Sequence, residues 1–290
     1  MAHSINTQAE EILEKEIKCL NEGFVRLVDY MGSDEAIVQA ARVSYGEGTK
    51  TIHEDRGLIR YLMRHQHTTP FEMVELKFHV KLPIFVARQW IRHRTANVNE
   101  YSGRYSVMKD EFYIPEHQAI HYQSLRNKQG RRDEEVPTDL RKRVLEILTT
   151  SQRKLYQEYE DLLESDIARE LARINLPLSL YTEWYWKIDL HNLFHFLQLR
   201  LDEHAQYEIR VYAEAMAKIT KRVAPLAWEA FEDYSLRSVT FSRLELKILA
   251  EQISASSLTP DLLQHKGLSK REAEEFLEKL KRVLPNTEGT

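Results

Sequence analysis

Cysteine is nearly missing from this 290-residue sequence; Cys19 stands alone. One thiol cannot form an internal disulfide, a CxxC pair or a cysteine-rich zinc site. Its scarcity fits a reducing, cytoplasmic setting. Glycine is scarce too, at nine residues, less than half the usual share. No glycine falls in a GxGxxG, GxxxxGK or GxSxG pattern, so the Rossmann fingerprint, the Walker A loop and the nucleophile elbow have no support. Phosphate binding would fall to side chains. No run approaches the ~18 apolar residues of a membrane helix. Met1 to Gln8 has no apolar signal-peptide core, so secretion is not expected. The net charge of −4 argues against a generic nucleic-acid coat. What remains is ordinary: 42% hydrophobic and 30% charged residues, enough for one large domain or two modest ones.

Periodicity sets the coarse plan. Thr7 to Leu20 reads as a helix, with capping-box spacing at Thr7 and Glu10 and with Ile12, Leu13, Ile17 and Leu20 on one face. Ser33 can cap a second helix through Ala41, and Gly57 to His65 reads as a third. Val74, Leu76, Phe78, Val80 and Leu82 alternate with Glu75, Lys77, His79 and Lys81, which is the pattern of an antiparallel strand with one wet face. Pro83 suits the first turn of a following helix to about Arg94. Ser106 to Pro137 shows no period, and Asn127 to Glu135 reads as a polar, mobile loop. A long helix is expected over Thr138 to Glu164, with Leu140, Val144, Leu148, Leu155 and Leu162 as its core face. A shorter one covers about Ile167 to Ile174. A second strand spans Leu178 to Ile188. Asp189 looks like the N-cap of a helix to Arg200, and another helix covers about His204 to Val223 before an exit at Pro225 and Trp228. Beyond Leu236, short amphipathic helices are expected at Leu258 to Leu263 and at Ser269 to Leu284. The fold class expected is α+β: an antiparallel sheet core, long flanking helices and a small helical C-terminal extension.

Three clusters could carry chemistry. The first is Arg88 to Arg94 followed by Asn97, Asn99, Glu100, Ser102, Arg104 and Tyr105. Arginine forks suit phosphate, and amides suit a pyrimidine or flavin edge. A solvated basic helix end, or an RNA-binding module, would also fit. The second is Asp189, His191, His195, Arg200, Asp202 and His204. His191 and His195 are i,i+4, the spacing of a two-histidine metal site with His204 or Asp202 as a third ligand; ordinary surface or core histidines fit as well, and no metal is assigned. The third, His65 to Glu72, is explained equally well by a turn before Pro70. Ser44 is an ordinary helix-end serine.

Arg92-His93-Arg94, seven residues and then Ser102 resembles the signature of flavin-dependent thymidylate synthases. The blocks Ala41 to Ser44, His67 to Glu72, Arg92 to Tyr105, Leu199-Arg200 and His204 to Gln206 stand in the order of that family, and the resemblance covers about Gly23 to Tyr234. It implies methylation of dUMP to dTMP, with methylenetetrahydrofolate as carbon donor, NADPH as hydride source and FAD as relay, in a homotetramer whose subunits share active sites. It implies flavin contacts at Thr69, Arg92, His93, Arg94, Glu100, Asp189, Leu190, His191 and His195. It implies nucleotide contacts at Gln89, Trp90, Ile91, Arg92, Glu100, Tyr101, Ser102, Gly103, Arg104, Arg173 and Arg200. Arg200 would be catalytic, favouring the ionised uracil ring, while Ser102 would bind phosphate or orient dUMP. Two departures stand out: Asn97 where many members have a second Ser, and Asp189-Leu190-His191 where many have Asn-x-Arg. The domain expected is 1–235, with 236–290 as an extension. A flavin-free thymidylate synthase needs a cysteine nucleophile, and Cys19 lies outside every block.

Overall fold

The computed structural model describes residues 5–43, 52–125, 130–132, 134–252 and 258–283. Ser44 lies outside them. The chain divides into two compact units, Met1–Leu236 and Arg237–Thr290.

The first unit is built on a five-stranded antiparallel sheet. Its strands are β1 (Ile17–Cys19), β2 (Gly23–Met31), β3 (Glu75–Pro83), β4 (Asn97–Glu100) and β7 (Tyr181–Asp189), in the order β1-β2-β3-β7-β4. The alternation read in the sequence governs the sheet. Leu76, Phe78, Val80 and Leu82 are fully buried and pair in register with Ile188, Trp186, Trp184 and Thr182 of β7. Helices α4 (Ile84–Trp90), α7 (Leu190–Arg200) and α8 (Tyr207–Val223) cover that face. Trp90 is fully buried at their junction, 4.8 Å from the ring of Phe196 and edge-on to Trp184, Trp186 and Tyr212. Tyr212 Oη donates to the carbonyl of Lys81. A Cβ on Gly23 would lie 2.1 Å from that hydroxyl, so only glycine fits there.

Helices α2 (Asp34–Val43), α3 (Ile52–Arg64) and α9 (Pro225–Phe231) pack together in the same unit. Asp34 caps α9 across the chain: its two carboxylate oxygens accept from Leu226 N and Ala227 N, each at 2.8 Å. Burial pushes its carboxyl up to about 6. Trp228, expected at an exit, is a core residue, and so is Phe231.

The expected helix over Thr7 to Leu20 does not form. Helix α1 covers only Thr7–Glu10, capped by Asn6, and β1 follows it. Glu14 and Leu20 take left-handed backbone conformations that break any helix there. The Ile17 and Leu20 spacing is a coincidence of a turn and a short strand. Part of the predicted polar loop instead pairs as a two-stranded ribbon, β5 (Tyr122–Gln123) with β6 (Arg131–Arg132).

The long helix α5 (Thr138–Glu164) has the expected limits but a different buried face. Gln152, Tyr156 and Tyr159 are buried, whereas Leu140 and Leu162 are exposed. The reason is hydrogen bonding. Gln152 donates to the carbonyl of Tyr113, Tyr156 Oη donates to the carbonyl of Met108, and Tyr159 Oη accepts from Met108 N. The irregular segment from Met108 to Tyr113 needs polar partners that leucines cannot supply. Helix α6 (Arg169–Ala172) and a 3-10 turn at Arg173–Asn175 then lead to β7.

The second unit holds α10 (Arg243–Gln252), α11 (Pro260–His265) and α12 (Lys270–Val283). Ser269 and Glu272 form a capping box at the start of α12, with Ser269 N donating to Glu272 and Glu272 N to Ser269 Oγ. Helix α10 had no counterpart in the sequence reading. Among the described residues no helix is long and apolar enough to cross a membrane.

Candidate active site

Helix α7 carries the centre of the site because Asp189 starts it where predicted. Asp189 Oδ1 accepts from Asn192 N at 2.9 Å, and Oδ2 accepts from Asn192 Nδ2 at 2.8 Å. The carboxylate is thereby occupied in capping. From that start, Leu193, Phe196 and Leu197 face the core, while Asn192, His195 and Leu199 line a cavity of about 340 Å³. Arg200 closes the helix in its last turn, and the turn after α4 supplies Arg92, His93, Arg94 and Thr95 opposite. Among the described residues no Asp or Glu lines this cavity.

The central contact is Arg200 Nε donating to His93 Nε2 at 3.0 Å. A guanidinium has no acceptor, so Nε2 holds a lone pair and the proton of neutral His93 is on Nδ1. Burial, then Arg200 and His195, hold the His93 imidazolium down to about 4. Burial also lowers the Arg200 guanidinium, and no carboxylate opposes that. Among the described residues none of Arg92, Arg94, Arg173 and Arg200 is paired with a carboxylate.

A second group lies at the other end of β4. The chain turns at Ser102, whose carbonyl accepts from Tyr105 N and Ser106 N. Arg173 lies against buried Gly103; a Cβ there would sit 3.1 Å from Arg173 Cδ and 2.7 Å from Met108 Sδ. Arg104 faces Glu170 at 3.4 Å on the surface. Glu100 accepts from Thr182 Oγ1 at 2.8 Å, and Tyr101 Oη donates to the carbonyl of Val107. Four-residue β4 spans about 13 Å. The predicted residues therefore form two groups: Arg92, His93, Arg94, His195 and Arg200 at one end, and Ser102, Gly103, Arg104 and Arg173 at the other.

The remaining predicted residues sit around these groups. Trp90 is a core side chain, which leaves only its main chain for a ligand. Gln89 Oε1 is buried with no hydrogen-bond partner. Ile91 is exposed. Thr69 is exposed at the start of the 3-10 turn Thr69–Met73, which packs on α7. Leu190 is fully buried, and His191 lies half-buried in the first turn of α7. Asn192, Thr95, Ile188 and Leu199 line the cavity without having been named as ligand contacts. The signal for Asn192 and Leu199 was their spacing from His195 along one helix face.

The histidine metal site does not assemble. His195 lines the Arg200 cavity, whereas His204 lines a different one and holds Asp202 Oδ1 at 3.0 Å through Nδ1. Among the described residues no three His, Cys, Asp or Glu side chains converge as a metal site. Cys19 is buried, and burial pushes its thiol up to about 12, far from a usable thiolate.

Residues 26–226 match the Thy1 family model, described as thymidylate synthase complementing protein. The chain is 55% identical to the flavin-dependent thymidylate synthase of Rickettsia bellii, over 94% of this chain and 96% of the relative. It is 58% identical to that of Treponema denticola, over 93% and 98%. Such coverage runs past Tyr234 into the C-terminal unit, further than the sequence resemblance reached. A solved structure, the UMP/dUMP methylase PolB of Streptomyces cacaoi bound with 5-Br dUMP, is similar with a TM-score of 0.69 and 34% identity, covering 77% of this chain and all of that one.

Proposed function

The chain belongs to the Thy1 family of flavin-dependent thymidylate synthases, and from that premise we propose that it methylates dUMP to dTMP, with methylenetetrahydrofolate as carbon donor, NADPH as hydride source and FAD as bound cofactor. The observation that carries the reading is Arg200: a half-buried guanidinium held by a neutral imidazole, with no carboxylate among the described residues to cancel its charge. Such a cation favours a ligand that becomes negative. A uracil ring that loses its N3 proton spreads charge over its oxygens and C5, and C5 becomes the nucleophile. A fixed guanidinium beside the ring stabilises that charge most where water is excluded.

The donor set fits a flavin dinucleotide and a nucleotide phosphate. Arg92 and Arg94 are unpaired exposed cations beside the cavity, suited to phosphate oxygens. Gln89 Oε1 is a buried acceptor without a donor, suited to a ring N–H. When bound, FAD supplies hydride transfer from the nicotinamide to the transferred carbon. This chain's residues bind, orient and hold charge: Arg92, His93, Arg94 and His195 toward the cofactor, and Gln89, Arg92, Arg173, Arg200 and the Glu100 to Arg104 segment toward dUMP. Because Asp189 is committed to capping, a flavin contact there comes through its main chain. Thr69, Leu190 and His191 flank the same helix end.

A homotetramer with shared sites is part of this reading. Two groups of predicted residues lie a β4 length apart, and Leu140, Ile147 and Leu162 leave apolar surface on α5. Both observations support completion of each site by another copy.

The test is colour and turnover. Purified protein reconstituted with FAD should be yellow, release FAD on denaturation, and oxidise NADPH only when dUMP and methylenetetrahydrofolate are both present. Light scattering should report four copies. A colourless protein after reconstitution, with stoichiometric zinc or with an RNA shift, overturns the reading in favour of a histidine metal site or an RNA-binding module.

A further inference from the structure

An arginine meant to face a developing anion has a design problem. A carboxylate partner would fix its geometry but neutralise it; no partner would leave a mobile side chain with many rotamers to order. His93 meets both demands. It accepts from Arg200 Nε at 3.0 Å, which fixes the guanidinium plane without adding negative charge. Anchorage at Nε leaves both terminal nitrogens, with four N–H groups, for a ligand. His93 is itself held. Its ring stands edge-on to Phe196 at 4.9 Å and 74°, and Phe196 is fully buried against Trp90 and Trp186. The ring of His195 lies 6.0 Å from that of His93. A chain of packed rings thus runs from the rigid core to the guanidinium.

We propose that His93 is a positioning residue for Arg200: a neutral hydrogen-bond acceptor that orients the guanidinium toward the pyrimidine while leaving its charge intact. This rests on the dUMP reading above. It gives the middle residue of the Arg-His-Arg triplet a role toward the nucleotide, separate from any flavin contact.

A double-mutant cycle tests it. Glutamine carries an amide oxygen the same number of bonds from Cβ as Nε2 of histidine, whereas leucine has no acceptor. His93→Leu and His93→Gln are compared in the wild-type and Arg200→Ala backgrounds, with kcat, KM for dUMP, dUMP affinity by calorimetry and FAD content by absorbance. His93→Leu should lose about tenfold in kcat, with less change in KM, because the contact matters most as the ring becomes anionic. His93→Gln should recover most of that loss. In the Arg200→Ala background either His93 substitution should change kcat less than twofold. If His93→Leu costs the same with and without Arg200, or if its loss follows FAD content, the proposal is overturned. Should the leucine variant fail to fold, the glutamine variant decides: a loss that is additive with Arg200→Ala also overturns it. A wild-type protein that binds and turns over no dUMP overturns the parent reading instead, a result distinct from an active enzyme with an additive cycle.

Discussion

Two sets of arginines are treated in opposite ways. On α3, Arg60 is only 13% exposed and reaches both Glu229, at 2.8 Å, and Asp233, at 2.6 Å, with the Tyr234 ring 4.9 Å away. Arg56 joins Glu229 as well, and the two cations hold that carboxyl below its usual range. Around the α7 cavity, Arg92, Arg94 and Arg200 pair with no carboxylate among the described residues. The first set ties α3 to α9 and serves stability. The second withholds the partners that would stabilise it, which is what a site for an anionic ligand requires.

The strongest way to break this contrast is Arg200→Ala. It should cost about a hundredfold in turnover, roughly 3 kcal/mol of transition-state stabilisation. FAD content should stay near wild type and the melting temperature should not fall, since no ion pair is lost. Near-wild-type turnover would place the charge elsewhere. Arg60→Ala is the mirror experiment. It should lower stability by about 1 kcal/mol in urea unfolding, because its carboxylate partners are partly solvated and regain water. Turnover per folded flavin site should not change.

The pH dependence sharpens the contrast further. The folded His93 titrates near 4 against an ordinary 6.5, so between those values the unfolded chain binds the extra proton. Its contribution to stability is complete above pH 6.5 and is lost as pH falls toward 4. His93→Gln removes that loss, so the variant should gain stability relative to wild type as pH drops from 6.5 to 4. Asp34 runs oppositely, its carboxyl raised to about 6, and is unchanged in this comparison. A parallel pH profile for the two proteins would mean that folding does not hold the His93 titration down. The smallest effect is expected from the tail, where Arg271 again pairs with a carboxylate, Glu275. A chain ending at Leu236 should keep dUMP turnover per folded flavin site; a folded, flavin-loaded but inactive truncation would put the tail in the site.

What the sequence made legible were the features written in one stretch of chain. The β3 alternation, the Asp189 cap and the α5 limits need only neighbours. Arg92 was legible as chemistry because cations stood there beside amides, whereas Arg200, followed by Asp202 and Glu203, was marked only by the family resemblance. Features decided by distant partners were not. The buried face of α5 depends on which carbonyls Met108 and Tyr113 present to it, and Ile17 joins a strand because Val25 is there to pair with. The Arg200–His93 bond joins residues 107 positions apart, and nothing local announces it.

The strand order has a further consequence, in time. Strand β7 lies between β3 and β4, so neither has its partner on that side until Tyr181–Asp189 is made. At 5–20 residues per second, roughly 4 to 16 seconds separate synthesis of Glu100 from that of Tyr181. Throughout that interval β3 offers an open, strongly apolar edge, and β4, with the arginines before it and the Ser102 turn after it, has no sheet to join. A nascent chain of this protein is therefore most exposed to aggregation between its first and second hundred residues. The binding groups at the two ends of β4 take their positions only when β7 arrives and the sheet closes.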